Sequence, residues 1–309
     1  MKFYHILLIL ILISCKREKT NFSVEGEVRD VKNIYIYLYQ RSLSGTFPVD
    51  SAIIDDKGKF KLKGFTGQPN FYILFINKAQ YINLLIHPGD KIKVLTKADN
   101  FNRDYFIEGS KDSRLILKLV TQQAMTLDRI TELSIEYEDN LNNPDFPSIK
   151  ARIDSTYEKI VSQHKKFSID FIRENKGSLV SLMALYQQLG RKEPVFDAKK
   201  DFRYFELVDS ALFVKYPNSE AVIDLNRKVT EIRESLKVEA GKPAPALTLP
   251  DINGKPVSLS SLRGKIVLLS FWALWSDASL QETKYLQDIY RKFQSKGFEI
   301  YQVSLDKTR

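Results

Sequence analysis

Two serines spaced three residues apart stand at the start of a helix-like segment late in the chain. The segment is Trp275-Ser276-Asp277-Ala278-Ser279, and the largely apolar residues 266–274 precede it. A serine hydroxyl becomes a nucleophile only when an adjacent base removes its proton. Beyond the first 15 residues the histidines are His87 and His164, both in other predicted domains, so no Ser–His pairing is indicated. Helix capping accounts for both serines, because Ser side chains accept hydrogen bonds from free backbone N–H groups.

The elements around these serines follow from residue spacing. The apolar run predicts a buried central parallel strand, and Ser276 or Asp277 is expected to cap the helix that follows. Ser279 with Glu282 also fits a capping box, and Asp277 suits the positive helix end. Trp275 is expected to pack beside the motif. The apolar positions that predict the helix are Leu286, Ile289, Tyr290 and Phe293.

The chain contains a single cysteine, Cys15. It ends an apolar run and is followed by charged residues, which predicts a lipoprotein signal peptide over residues 1–15 with lipidation at Cys15. The eight-residue run from Ile6 to Ile13 is too short to span a bilayer. A mature protein with its only cysteine lipidated has no thiol for dithiol exchange.

Residues 237–309 resemble the thioredoxin-like domain of the TlpA/ResA family within the AhpC/TSA superfamily. The resemblance rests on Gly-Lys-Pro-Ala-Pro at 241–245, Asn-Gly-Lys-Pro-Val at 253–257, and Phe-Trp-Ala at 271–273. The family places Trp-Cys-x-x-Cys where this chain has Trp275, Ser276 and Ser279. The resemblance implies a thiol-disulfide oxidoreductase fold with degenerate cysteine positions, and no catalytic residue is assigned.

The family fold continues beyond the strand predicted at residues 298–306, with a cis-Pro loop, further strands and a last helix. We therefore expect a truncated domain, with completion of the sheet by another chain as the alternative. Val303 and Leu305 are expected at an open sheet edge.

Residues 21–108 are predicted to form a small antiparallel β sandwich or barrel, and residues 110–236 a helical connector whose first helix Ser110 is expected to cap. The Asn253-Gly254 pair predicts a hairpin turn in the C-terminal part. Gly26 is expected to break the first strand, and the turn at residues 55–58 to close a hairpin between residues 49–54 and 59–62. The β region resembles the N-terminal domain of unknown function in Bacteroidetes lipoproteins. The family's helices join the domains and offer a homodimer contact. The predicted fold class is thus multi-domain: all-β, then α-helical, then a partial α/β thioredoxin-like domain.

The net charge of +9 arises from basic residues interleaved with acidic ones. Nucleic-acid proteins concentrate such charge in patches, so no nucleic-acid partner is predicted. Two dispersed histidines predict no metal site, and Gly264-Lys265 precedes a strand rather than a helix, so no phosphate loop and no cofactor are predicted.

These observations favour a lipid-anchored cell-envelope protein at the outer membrane, facing the periplasm, that is redox-inactive and binds or scaffolds envelope proteins. The alternatives are an active thiol-disulfide oxidoreductase or AhpC/TSA-type peroxidase, and a truncated non-functional product. The resemblance implies an enzyme family whereas the cysteines of that family are missing here, so the sequence neither predicts nor excludes enzymatic activity.

Overall fold

A computed structural model describes residues 20–77, 79–190, 193–238 and 240–306. The predicted signal peptide and Cys15 lie outside the described residues. The chain divides into two compact units, one ending at Arg233 and the other beginning at Glu234. Within the described residues, no helix is both long and apolar enough to cross a bilayer.

The first unit begins with a β sandwich of two four-stranded sheets, with strand orders β4-β1-β7-β8 and β3-β2-β5-β6. Alternate side chains of each strand meet in a shared core, as period-two patterning requires. The strands are β1 Phe22–Arg29, β2 Tyr35–Ser42, β3 Gly45–Ile53, β4 Lys59–Gly64, β5 Asn70–Asn77, β6 Gln80–Ile86, β7 Lys91–Lys97 and β8 Tyr105–Glu108.

Three details of the sandwich differ from the sequence-based expectations. Strand β1 is not broken at Gly26 but continues through it. A Cβ at this position would lie 1.8 Å from the Val94 backbone oxygen, so the glycine is what permits the close approach of β7. The predicted hairpin is wrong: the turn forms, but β3 then pairs with β2 and β4 with β1, in different sheets. The sandwich is also not purely antiparallel, since β1 and β7 run parallel.

Five helices complete the first unit. Helix α1 begins after Ser110, whose side chain accepts from the Ser113 backbone N–H at 3.2 Å, as predicted. The predicted connector packs directly on the sandwich, where Leu85 of β6 joins the core of the helices. The helices are α1 Lys111–Asp139, α2 Phe146–Asn175, α3 Val180–Leu185, α4 Phe202–Lys215 and α5 Glu220–Lys237.

The second unit contains a short antiparallel hairpin and a strand–helix–strand motif. The hairpin turns at Gly254, whose φ of 82° suits glycine, and the Asn-Gly turn prediction is confirmed. Tyr301 Oη donates to the Val257 oxygen at 2.8 Å and ties the two parts together. The elements are β9 Thr248–Pro250, β10 Pro256–Ser258, β11 Ile266–Trp272, α6 Asp277–Phe293 and β12 Phe298–Ser304.

Strands β11 and β12 are parallel, with Ile266 opposite Phe298 and Trp272 opposite Ser304. Within the described part of the chain, β11 pairs only with β12, so the expectation of a buried central strand is wrong. Side chains of β11 remain largely exposed, including Ile266 and Phe271. Leu305, just after β12, is also exposed.

Candidate functional site: a helix N-terminus capped by serine

Ser276 is the N-cap of α6. Its φ of −109° and ψ of 106° are extended, and its Oγ accepts from the Ser279 backbone N–H at 3.4 Å. The Leu280 N–H bonds the Ser276 carbonyl oxygen at 3.2 Å and completes the first turn. The prediction that the helix opens at this point is confirmed. The hydroxyl is therefore placed where the helix dipole favours a negative group.

Ser279 lies inside the first turn of α6 rather than before it. Its carbonyl oxygen accepts from Thr283 Oγ1 at 2.8 Å, and its own N–H is used by the Ser276 cap. The predicted capping box of Ser279 with Glu282 is therefore wrong, because the helix begins at Asp277. Asp277 occupies that first turn and faces solvent, which suits the positive end of the helix.

The loop between β11 and α6 is held by a residue that sequence reasoning missed. The Leu274 N–H lies 3.2 Å from both carboxylate oxygens of Asp306, and Ser304 Oγ donates to Asp306 Oδ2 at 2.8 Å. The Leu305 N–H bonds the Trp272 oxygen at 2.9 Å. The sequence offered one signal for this role of Asp306: it is a polar residue at the carboxyl end of the neighbouring parallel strand, and such strand ends meet at one sheet edge.

The tryptophan before the serines is turned outward. Trp275 is 77% exposed and Leu274 is 64% exposed, so the expectation that Trp275 packs beside the motif is wrong. Ala273 is buried and Trp272 is half-buried. The loop therefore presents two large apolar side chains beside the Ser276 cap.

The unit that holds Ser276 contains no histidine, since His87 and His164 both belong to the first unit. No base is thus available to the Ser276 hydroxyl from an imidazole of its own unit, and capping remains its chemical role. Among the residues that the structure describes, no group of three or more His, Cys, Asp or Glu side chains is placed to hold a metal ion.

A second polar cluster, also missed from the sequence, joins the sandwich to the helices. His87 Nε2 lies 2.7 Å from Asp112 Oδ2, and Ser178 Oγ donates to Asp112 Oδ1 at 2.8 Å. His87 follows β6, Asp112 is in the first turn of α1, and Ser178 precedes α3. The carboxylate lies between the other two groups, so the imidazole does not receive the serine proton as it does in a catalytic triad.

The hydrogen bond between His87 and Asp112 favours the charged form of each group. The hydrogen bond to Asp112 raises the pKa of His87, and burial opposes it. Burial alone would raise the pKa of Asp112, but hydrogen bonds from His87 and Ser178 outweigh it and hold that pKa below its ordinary value. The cluster is therefore a structural ion pair between layers of the first unit.

Comparison with known families agrees with the geometry of both ends of the chain. Residues 240–309 match the AhpC/TSA family, and residues 22–116 match a domain of unknown function (DUF4369). The C-terminal part is thus similar to TlpA/ResA-like thioredoxin-fold proteins, and the part that precedes it matches the DUF4369 domain over residues 22–116. The multi-domain fold class predicted from the sequence is confirmed.

Among similar proteins is the thiol-disulfide oxidoreductase ResA of Bacillus thuringiensis (strain Al Hakam), 38% identical over 72 residues, which are 23% of this chain and 42% of that protein. ResA of Oceanobacillus iheyensis is 40% identical over 85 residues, 26% of this chain and 44% of its own length. The chain thus spans less than half the length of these relatives.

Among solved structures, the thioredoxin domain of a thiol-disulfide oxidoreductase from Bacteroides vulgatus is 42% identical, with a TM-score of 0.22, over 23% of this chain and 51% of that one. A thioredoxin-like protein from Bacteroides caccae is 18% identical, with a TM-score of 0.27, over 55% of this chain and 65% of that one.

Proposed function

We propose that the protein is a cell-envelope lipoprotein whose thioredoxin-like module performs no thiol chemistry and serves in binding or scaffolding. The observation that carries this proposal is the N-cap of α6, where the family has a cysteine and this chain has Ser276. Dithiol exchange needs an attacking thiolate and a second sulfur. Ser276 and Ser279 supply neither, and the Ser276 hydroxyl oxygen accepts from the Ser279 backbone N–H at the helix start.

The anchoring part of the proposal rests on the N-terminal sequence. Cys15 ends an apolar run of signal-peptide length, and lipidation there would place the rest of the chain at a membrane surface. An outer-membrane anchor with the chain facing the periplasm fits this arrangement. Metabolic labelling with a palmitate analogue tests it: label is expected in the wild type and absent in Cys15→Ser, and an unlabelled wild type contradicts it.

The binding part is supported by the exposed loop beside the cap. Leu274 and Trp275 are presented to solvent on a loop that Asp306 fixes through the Leu274 N–H. Large apolar side chains on a rigid loop contribute binding energy at low entropic cost. Envelope proteins are the proposed partners, and a homodimer through the helices of the first unit is a further partner option.

Dithiothreitol-dependent insulin reduction tests the redox part of the proposal. The wild-type chain is expected to show no turnover above a protein-free blank. Ser276→Cys/Ser279→Cys restores two sulfurs at the helix start and is expected to gain turnover. Ser258→Cys/Ser261→Cys is the matched control, with the same spacing in the same unit at the short 3-10 helix Leu259–Leu262. Turnover by the wild type would overturn the proposed inactivity.

A further inference from the structure

The outer face of the sheet β3-β2-β5-β6 carries a cluster of aromatic rings that the fold does not cover. Three of these rings lie side by side on adjacent strands, with Tyr37 opposite Phe75 and Phe75 opposite Tyr81. Tyr35 and Tyr81 are exposed, and the others are half-buried. We call this cluster the aromatic face; its members are Tyr35, Tyr37, Tyr39, Phe75 and Tyr81.

The rings of the aromatic face are organised rather than scattered. Tyr35 stacks on Tyr37 with centroids 5.9 Å apart, and Tyr37 stacks on Phe75 at 5.3 Å. Tyr39 meets Phe75 edge-on at 5.1 Å. The buried face of the same sheet is filled by a separate apolar core, to which these rings do not belong. The rings contact one another and so form a preformed aromatic platform.

A cavity of about 830 Å³ adjoins this platform within the first unit. The sheet contributes Arg41, Tyr81 and Asn83 to its wall, and the helical region contributes Gln123 and Tyr186. This volume lies in the range of small-molecule sites. Tyr81 belongs to both the aromatic face and the cavity, so the two surfaces are continuous.

The amides in the cavity wall are held in fixed positions. Gln187, only 6% exposed, donates from Nε2 to Gln123 Oε1 at 3.2 Å, and Ser168 Oγ donates to Gln187 Oε1 at 3.3 Å. Gln123 Nε2 in turn donates to the Gln188 oxygen at 2.9 Å. The side-chain amide of Gln123 retains one further N–H and one oxygen lone pair for a ligand.

Two wall groups have no protein partner within the described chain. The half-buried Asn83 side chain makes no hydrogen bond there, and Arg41 forms no ion pair with the described residues. An amide presents donors and an acceptor together, which matches a hydroxyl. Arg41 supplies one positive charge to a cavity that Glu220 and Asp224 also line. This is too little positive charge for a nucleic acid, which needs several cations along its backbone.

We propose that the aromatic face and its adjoining cavity form a carbohydrate-binding site for an oligosaccharide. The C–H faces of pyranose rings stack on Tyr35 and Tyr81, the two exposed rings of the aromatic face, where the negative ring faces meet partly positive hydrogens. The amides of Asn83 and Gln123 bond ring hydroxyls inside the cavity. Neither the thioredoxin-like module nor its missing sulfur takes part, so this site stands independently of the proposed function.

Isothermal titration of the full chain with maltohexaose, cellohexaose and N-acetylchitohexaose tests the site. At least one of these sugars is expected to bind, and Tyr35→Ala and Tyr81→Ala are each expected to weaken the affinity at least tenfold. Tyr81→Phe keeps the ring and should retain most of the affinity. Phe106→Ala is the matched control, because Phe106 is an exposed aromatic on β8 of the other sheet, and its affinity should equal that of the wild type.

The exposed positions of Tyr35 and Tyr81 allow the variants to fold, and circular dichroism matching the wild type establishes that they do. Three results would each overturn the site. These are no binding of any of the three sugars at about 10 mM, wild-type affinity in both alanine variants, or a loss of affinity in Phe106→Ala as large as in those variants. A dimer lost in Tyr35→Ala, without sugar binding, would overturn the sugar site and assign the face to a protein contact instead.

Discussion

The ion pair between His87 and Asp112 is expected to make the stability of the first unit depend on pH. Asp112→Asn keeps the shape of the side chain and removes its charge. At about pH 5.5 the imidazole is protonated, since the hydrogen bond to Asp112 raises its pKa above the ordinary 6.5. A hydrogen bond between charged groups contributes roughly 1.5–3 kcal/mol. For a unit of this size, about 2 kcal/mol corresponds to a Tm decrease of about 4–8 °C.

The direction of the pH dependence follows from the pKa shifts of His87 and Asp112. Because the folded pKa of His87 is raised, its contribution is complete below the unfolded value and is lost as pH rises through the folded value. Because the folded pKa of Asp112 is lowered, its contribution is present above the unfolded value of 3.8 and is lost as pH falls through the folded value. The pair therefore stabilises most between these limits, and Asp112→Asn should cost less at about pH 8.5, where His87 is neutral.

Thermal unfolding followed by circular dichroism at both pH values measures this difference, because α1 to α5 contain most of the helix. Asp154→Asn is the matched control: it removes a carboxylate from an exposed pair with Lys150 on α2 and should change Tm little at either pH. An equal Tm decrease for Asp112→Asn at both pH values would refute the assignment of the effect to the ion pair.

Three further substitutions test the local structure. Ser276→Ala removes the cap of α6 and should cost about 1 kcal/mol, seen as faster amide exchange in the first turn; unchanged exchange would contradict the cap. Gly26→Ala places a Cβ 1.8 Å from the Val94 oxygen and should cost at least about 3 kcal/mol in chemical unfolding; native-like stability would contradict the close approach. Tyr301→Phe removes the bond to Val257 and should cost about 1 kcal/mol, and no loss would show that this contact does not stabilise the second unit.

Local chemistry made part of the structure predictable from the sequence. The Ser110 and Ser276 caps and the Asn253-Gly254 turn follow from residues within four positions of each other, and the structure contains all three. The last helix and the helical character of residues 110–236 were predicted from apolar spacing for the same reason, since the pattern that forms a helix lies within it.

Features set by distant residues were not predictable in this way. The role of Gly26 depends on Val94, and strands β3 and β4 join different sheets although a tight turn separates them. The meeting of His87 with Asp112 depends on how helix α1 packs on the sandwich. The exposure of Trp275 likewise depends on what covers the loop rather than on the motif around it.

The central claim is that Ser276 stands at a helix N-terminus, in the position where the thiol-disulfide oxidoreductases that the second unit resembles have a cysteine. The most direct test is the thiol pKa of Ser276→Cys in a Cys15→Ser background, measured from the pH dependence of alkylation. A helix N-terminus lowers a cysteine pKa from about 8.5 to roughly 7.5 or below. We predict a pKa in that lowered range. A value at or above about 8.5 would contradict the claim.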